Sequence, residues 1–293
     1  MVFFKKLEAN RENMTTVSLY KFIHSDYIKS TIESGEVKLT QLSTSNDPLE
    51  FLPCGNSKKL QEWFKRTKDV EPLVLCLSPQ ISAAPMWSHY AENHQGAAIV
   101  FQFNIINTYC VSFDDEDTGN IIKIYIHQTD QNYFLVKCVY LNRRMKIVID
   151  SNDWNEFVVQ NADNRVEMQL NLWVPILKMI SAKGKVWEYE QEYRLLFYDD
   201  EQVKNPKDTR CITNLFRDKI QGIILGLKRS KKLTRAKVKK WCSDRKIFVD
   251  TAYRSEQTFE IQNNSTSDSI GILKELEKDA TNVSWSELFC IIR

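Results

Sequence analysis

The chain has 293 residues, a hydrophobic fraction of 43% and a formal net charge of +2, all ordinary values for a globular protein. This near-neutral charge gives no overall electrostatic reason to expect nucleic-acid binding. No apolar run reaches the ~18 residues that a membrane helix needs, and the N-terminus becomes charged after four residues. We therefore expect neither a membrane partner nor a secretory signal.

Seven cysteines are scattered through the chain, and none of them forms a Cys-x-x-Cys pair. No histidine lies near enough to them in sequence to suggest a zinc site. We interpret them as buried free thiols in a reducing compartment. The cysteine pattern therefore predicts a cytoplasmic protein without a metal site.

Short strands and helices alternate in the first part of the chain. Ser25 is a candidate helix N-cap, and Gly35 is a candidate helix stop because glycine readily adopts a left-handed conformation. Pro85 suits the first turn of a further helix. The predicted elements are a strand over 18–23, a helix between Ser25 and Gly35, strands over 37–42 and 73–78, a helix within 49–70, a helix from Pro85 and a strand over 97–103.

The second part of the chain is less regular. Residues 104–137 are predicted to be a variable excursion with an acidic loop, and 151–182 are predicted to be mainly helical. The irregular mixture favours an α+β fold, with mixed, mostly antiparallel central sheets and surrounding helices. Further strands are expected over 139–140, 220–227, 247–253 and 258–262, and a basic helix is expected over 230–245.

Composition divides the chain into three regions. Residues 1–17 lack a pattern and are predicted to be an N-terminal arm. Residues 18–262 carry the predicted α+β domain. Residues 263–293 begin with a polar stretch typical of a linker and continue as a helical appendage, which we regard as a possible binding segment for a protein partner.

The stretch 183–197 is the most distinctive of the chain. Read with a period of two residues, it predicts a strand with one aromatic and aliphatic face and one charged face. The pattern leaves two interpretations open: a polar outer face in solvent, or a row of carboxylates in a catalytic cleft. The charged face carries Glu188, Glu190, Glu192 and Arg194.

Three other places could carry chemistry. Trp87, His89 and Tyr90 lie on one short predicted helix, where they either stack on a base or nicotinamide ring or simply pack that helix onto the sheet. Asp47 belongs to a loop that is either a carboxylate site or a structural turn closed by its side chain. The basic helix around Lys231–Lys240 either follows a phosphate backbone or is a solvated face.

Several of these segments together resemble the bacterial "domain of unknown function 2971" proteins. They occur in the family's order and cover roughly residues 18–262. The combination of Trp-Ser-His-Tyr with Trp-x-Tyr-Glu-x-Glu-Tyr-Arg is its most specific part. The matching pieces are Leu19–Phe22, Asn46–Glu50, Leu77–Ser78, Trp87–Ala91 with Gly96, Lys183, Trp187–Leu195 and Ile223–Gly226.

A weaker likeness is to ADP-ribosyltransferase folds, in the opening strand with Tyr20 and Lys21 and in the late Glu-x-Glu of Glu190 and Glu192. The resemblance implies an NAD-consuming or ADP-ribosyl-transferring enzyme, with NAD as substrate. Glu192 would be the catalytic carboxylate and Glu190 its partner. Such an enzyme would suit a toxin or effector in bacterial conflict or phage defence. The residues expected to bind the nucleotide are Tyr20, Lys21, Trp87, His89, Tyr90 and Arg194.

Two alternatives remain open from the sequence. A metal-dependent nuclease would use Asp47, Glu190 and Glu192 to hold Mg²⁺, with the basic helix against nucleic acid. A non-catalytic sensor or interaction module would instead recruit a partner through the basic helix and the C-terminal segment.

Overall fold

A computed structural model of the chain describes residues 14–45, 47–52, 58–67, 73–115, 118–145, 174–197, 212–213, 216–228, 230 and 233–292. Most of the predicted N-terminal arm and most of the predicted 151–182 helix lie outside these residues. Residues 15–17, which were predicted to belong to the arm, are instead the first residues of β1.

The predicted α+β class is confirmed, with a mixed, mostly antiparallel central sheet and several helices. The described strands are β1 (Thr15–Ile23), β2 (Val37–Lys38), β3 (Leu73–Leu77), β4 (Ala97–Asp114), β5 (Ile121–Thr129), β6 (Phe134–Lys137), β7 (Val139–Leu141), β8 (Ala182–Gly184), β9 (Tyr193–Phe197), β10 (Ile212–Thr213), β11 (Ile220–Leu225), β12 (Phe248–Thr251), β13 (Tyr253–Arg254), β14 (Ile261–Gln262) and β15 (Thr281–Asn282).

The helices are short and flank the sheet. In α1, Ile28, Thr31 and Ile32 are buried at helical spacing, and Gly35 ends the helix at a φ of 75°, as predicted. His24, rather than Ser25, caps the turn before α1 by accepting a hydrogen bond from the Asp26 N–H. The described helices are α1 (Ile28–Ser34), α2 (Lys58–Thr67), α3 (Ala84–Tyr90), α4 (174–181), α5 (Arg235–Trp241), α6 (Ile270–Lys278) and α7 (Trp285–Ile292).

The central sheet of the described residues has nine strands. Its main path runs β12-β11-β4-β5-β6-β9-β3, and β1 and β15 also pair with β4. A main-chain bridge between Tyr20 and Ser78 joins β3 to β1. The strands β1, β4, β5, β6, β9 and β3 therefore form a closed circuit, and the bridge is its last link.

Residues 104–115 and 118–137 largely extend the central sheet, so the prediction of an excursion is wrong. The strand β4 continues to Asp114 and pairs along its second half with β5, which pairs in turn with β6. Val111, Ile124 and Ile126 are fully buried on one face of this antiparallel unit. Buried residues alternate with more exposed ones along these strands, as is typical of a sheet. The acidic loop between the two strands led to the prediction of an excursion in place of this strand pattern.

The stretch 183–197 is not one strand, so the central prediction from its alternation is wrong. The strand β8 ends at Gly184, a 3-10 turn follows over Lys185–Glu190, and β9 begins only at Tyr193. Gln191 closes the turn in a left-handed conformation, at a φ of 47°. The turn changes the direction of the chain, and Glu190 and Glu192 are buried instead of forming an outer face.

The C-terminal segment is helical, as predicted, but it is packed into the domain and does not extend from it as an appendage. Leu273 on α6 and Leu288 on α7 are fully buried, and β15 pairs with β4. The predicted linker is also fixed, since Thr266 accepts a hydrogen bond from the Tyr20 hydroxyl at 2.8 Å. Among the described residues, no helix has the length and apolar character needed to cross a bilayer.

Glu277 fastens α6 to the sheet. Its carboxylate lies 2.6 Å from the Lys137 ammonium, accepts a hydrogen bond from the Tyr193 hydroxyl at 2.8 Å and lies 3.8 Å from the imidazole of the buried His127. Burial opposes ionisation, but these partners outweigh it and hold the pKa of Glu277 below its ordinary value. The carboxylate therefore contributes stability above its unfolded-state pKa and loses that contribution as the pH falls.

We predict that Glu277→Gln lowers the free energy of unfolding at pH 7 by about 2 kcal/mol, because charged hydrogen bonds are lost in a buried place. Urea titrations should show this difference shrinking as the pH falls toward 3. Glu275→Gln is the matched control, since Glu275 lies on the same helix in an exposed pair with Lys278. Equal effects of the two substitutions would contradict the anchoring role of Glu277.

Candidate functional site

The site lies where the strand circuit opens. Tyr20 and Ser78 exchange main-chain hydrogen bonds of 2.7 and 2.9 Å. Beyond this bridge β1 and β3 do not pair, and a cavity of about 750 Å³ opens between them. The cavity is lined by residues from β1, β2, β3, α1, α3, the 183–192 segment and neighbouring loops, including Lys21, His24, Lys38, Glu50, Cys76, His89, Tyr90, Glu92, Lys183, Glu190 and Glu192.

A buried Arg194 orients one side of the charged cluster. Its Nε donates to Glu192 Oε1 at 2.9 Å, and its other nitrogens donate to Glu50 Oε1 and to the Ile180 carbonyl. Arg194 is fully buried on β9, so the guanidinium can only serve these protein partners. The predicted nucleotide contact of Arg194 does not fit this position, because the side chain holds the carboxylates and does not line the cavity.

Lys183, at the centre of β8, bridges the carboxylates. Its ammonium donates to Glu190 Oε2 at 2.5 Å and to Glu192 Oε2, and lies 3.3 Å from Glu50 Oε1. Burial opposes a charged lysine, but the carboxylates, above all Glu192, raise the pKa of Lys183. The cluster therefore contains a permanently charged ammonium between three carboxyl groups.

The two glutamates of the Glu-x-Glu motif have different environments. Burial opposes ionisation of Glu192, but Arg194 and Lys183 outweigh it and hold the pKa of Glu192 well below its ordinary value. Burial and the Glu192 charge instead raise the pKa of Glu190, which Lys183 and Tyr90 offset only in part. The motif thus combines a carboxylate that stays ionised with one that can take up a proton.

Hydrogen bonds to the main chain of Glu190 and Glu192 fix the end of the turn and the residues that follow it. The Ser78 hydroxyl donates to the Glu190 carbonyl at 2.8 Å, and the Glu192 N–H donates to the Tyr140 hydroxyl at 2.6 Å. The Cys138 N–H donates to the Glu192 carbonyl at 2.9 Å. These contacts from β3, β7 and the residue before β7 explain why the local alternation does not become a strand.

Aromatic side chains form the wall next to Glu190. The Tyr90 hydroxyl donates to Glu190 Oε1 at 2.8 Å. His89 is exposed and stacks on Tyr189 with 6.4 Å between the ring centroids, while its edge contacts Trp187. His89 and Tyr90 therefore line the same cavity as the two glutamates.

Two predicted contacts of aromatic residues need correction. Trp87 is fully buried, and its indole nitrogen donates to the Ile81 carbonyl at 2.9 Å, so its ring packs α3 onto the sheet and cannot stack on a ligand. Tyr20 borders the cavity, but its hydroxyl is bonded to Thr266 and burial raises its pKa to about 12. Lys21, next to Tyr20, also lines the cavity.

Of the three carboxylates of the nuclease alternative, Glu190 and Glu192 line the cavity and Asp47 does not. Asp47 Oδ1 accepts a hydrogen bond from the Leu49 N–H at 2.9 Å, which makes it the structural turn. Within the described ranges, no three His, Cys, Asp or Glu side chains are arranged to hold a metal ion. Lys231 and Lys232 of the predicted basic helix lie outside the described residues, and α5 does not line the cavity.

Sequence reasoning did not select several residues of the site. Lys183 and Glu50 were named only within the family motifs, and the contacts of Glu50 with Lys183 and Arg194 join residues that are far apart in sequence. Glu92 was not noted, although it lines the cavity and lies 3.3 Å from His24 Nε2. The sequence gives no signal for Glu92. The structure does mark it as unusual, because Glu92, Asn93 and His94 all adopt left-handed conformations, with a φ of 49° at Glu92.

The family model described as "Protein of unknown function (DUF2971)" matches residues 86–195. The match confirms the resemblance inferred from the Trp-Ser-His-Tyr and Glu-x-Glu motifs, and it includes Tyr90, Lys183, Glu190, Glu192 and Arg194. No curated protein and no solved structure was found to match the chain.

We predict stability effects of different size for the two glutamates. Glu192→Gln should lower the free energy of unfolding at pH 7 by about 3 kcal/mol, because two buried cations lose a shared carboxylate. Since the pKa of Glu192 is depressed, its contribution is present above the unfolded-state pKa, and the deficit of the variant should shrink in acid.

Glu190→Gln should change the free energy of unfolding at pH 7 by less than about 1 kcal/mol. The pKa of Glu190 is raised, so its stabilising contribution is greatest below the unfolded-state pKa and is lost as the pH rises. Urea denaturation of both variants between pH 4 and 8 would measure this. A larger loss for Glu190→Gln than for Glu192→Gln would contradict the assigned environments.

Proposed function

We propose that the cavity binds NAD or a related nucleotide and that the two glutamates catalyse glycosyl transfer from it. The observation that carries this proposal is the pair of carboxyl groups with divergent pKa values on one cavity wall, both bonded to Lys183. Two carboxyl groups with different protonation behaviour are the usual equipment for breaking a glycosidic bond.

The cavity supports a ligand of this class. Its volume of about 750 Å³ falls within the roughly 300–1,000 Å³ of small-molecule sites. His89 and Tyr90 provide aromatic surface for a flat ring next to Glu190. Lys21 lines the same cavity, and its ammonium has no hydrogen bond or ion pair with another described residue, so it is available to a phosphate.

Each glutamate has a separate task in this proposal. When the C–N bond to the pyridinium ring breaks, its electron pair leaves with neutral nicotinamide and the ribose carbon becomes positively charged. Glu192, held ionised, would stabilise that charge. A water or acceptor hydroxyl then attacks the carbon, and Glu190 would accept the proton that it releases. Lys183 would be a positioning residue, because it fixes both carboxyl groups.

We predict that purified protein releases nicotinamide from NAD and that Glu190→Gln lowers kcat by about 100-fold or more, because the general base is lost. The rate of the wild type should rise with pH until Glu190 is ionised, since only the carboxylate accepts a proton. Chromatography of the released nicotinamide measures both effects.

Glu188→Gln is the matched control, because Glu188 lies in the same turn with a half-exposed side chain paired to Lys185. It should leave the rate unchanged. A folded wild-type protein that neither binds NAD nor releases nicotinamide would overturn the proposal. Loss of cellular NAD on expression of the wild type, but not of Glu190→Gln, would support the toxin or effector role expected from the sequence.

A further inference from the structure

Positive charge is concentrated in one stretch of the chain. Residues 217–246 contain twelve of the 40 lysines and arginines but only two of the 38 acidic residues, Asp218 and Asp244. The stretch therefore has a formal charge of +10, while the rest of the chain, with 28 cationic and 36 acidic residues, has a formal charge of −8. The near-neutral total hides this asymmetry, which is typical of a protein with an anionic partner.

The fold brings cations of this stretch together. The helix α5 buries Val238 and exposes its charged residues. The Arg245 guanidinium donates to the Arg217 carbonyl, which joins the turn after α5 to the 3-10 turn over Arg217–Lys219. It also donates to the Ile32 carbonyl at 2.7 Å, so both turns are held at the end of α1. The cations on α5 and on these two turns form the basic surface: Arg217, Arg235, Lys237, Lys239, Lys240, Arg245 and Lys246.

Three lysines of the basic surface are available to a partner. Within the described residues, the ammonium groups of Lys239, Lys240 and Lys246 form no hydrogen bond or ion pair, and all three side chains are exposed. Arg235 instead stabilises the fold, because it donates to the Val249 carbonyl at 3.0 Å. The available charge therefore lies on lysines, each of which presents a compact, mobile point charge without a fixed direction.

This composition distinguishes between classes of anionic partner. Protein–protein interfaces are depleted in lysine and enriched in aromatic residues and arginine. A helix that lies on a bilayer inserts an apolar face, but the described part of 217–246 has no exposed large hydrophobic side chain. The repeating phosphates of a nucleic acid need only closely spaced positive charges. The basic surface therefore fits a nucleic-acid backbone best.

We propose that the basic surface binds nucleic acid through its phosphates. The lysine ammonium groups contact phosphate oxygens and release condensed counterions, so binding does not depend on base sequence and weakens steeply as salt rises. The helix α1 lies next to both places, since Ser30 and Thr31 line the cavity and the Ile32 carbonyl binds Arg245. The basic surface itself is separate from the cavity, and its role does not require the cavity to bind NAD.

The test measures the fluorescence anisotropy of labelled single-stranded RNA, single-stranded DNA and duplex DNA, each in two unrelated sequences, with the full-length protein. At least one of them should bind with a Kd of roughly 10⁻⁴ to 10⁻⁶ M near physiological salt, equally for both sequences. The logarithm of its association constant should fall against the logarithm of the KCl concentration with a slope of about −3 or steeper. The tightest of the three identifies the kind of nucleic acid.

Paired variants test the surface itself. Lys239→Gln combined with Lys240→Gln should weaken binding about tenfold and make the salt slope less steep by about 2. Lys239→Arg combined with Lys240→Arg keeps the charge and should retain both affinity and slope. The matched control is Lys274→Gln combined with Lys278→Gln, which removes two exposed charges from α6 and should change neither. All these side chains are exposed, and circular dichroism establishes that the variants are folded.

Several results would overturn the proposal. One is a folded wild-type protein that binds none of the nucleic acids at low salt. Another is an equal loss of affinity in the α5 variant and the α6 control, which would show a general charge effect. Tighter binding to polyglutamate or to phosphatidylserine vesicles than to any nucleic acid would identify a protein or bilayer partner instead. NAD takes no part in these measurements, so their outcome is independent of the proposed function.

Discussion

The Lys183 ammonium, shared by Glu190 and Glu192, is the interaction on which the site depends. Three carboxyl groups in a buried place would repel each other and favour protonation. Lys183 and Arg194 reverse this for Glu192 but not for Glu190. Buried ion pairs bring little net stability on average, so a cluster that shifts the pKa values of two carboxyl groups in opposite directions is better explained by function than by folding.

The strand circuit supplies the opening that such a cluster needs. If β1 and β3 had paired along their whole length, Cys76 and Phe22 would have been bonded to each other and no cavity would have formed. The single bridge at Tyr20 and Ser78 closes the circuit and leaves the rest of the two strands apart. The charged cluster on β8 and the turn before β9 then faces the gap, while the docked C-terminal helices cover other parts of the sheet.

The sequence predicted the elements whose signals are local. The apolar runs of β3 and β11, the glycine that ends α1 and the turn at Asp47 all depend on nearby residues, and all are found. The prediction of one strand over 183–197 failed because contacts from residues distant in sequence outweigh the local alternation of polar and apolar residues. Tyr140 and Ser78 bind the main chain of the turn, and Gln191 adopts a left-handed conformation there.

The candidate site was predictable only in part, for the same reason. Glu190, Glu192, His89 and Tyr90 stand in motifs that signal chemistry by themselves. Glu50 reaches the cluster from 144 residues before Arg194, and no local pattern reveals that contact. The predicted ligand contact of Trp87 was wrong, because the motif shows that position 87 is aromatic but does not show that it lies on the buried side of α3.

The most direct test of the account is a ¹³C NMR titration of the side-chain carboxyl carbons in glutamate-labelled protein, with Glu190→Gln and Glu192→Gln used for assignment. The account predicts two separated steps, in which Glu192 stays ionised into strong acid and Glu190 titrates above the ordinary glutamate value of 4.5. Titration of both carboxyl groups together near that ordinary value would contradict it.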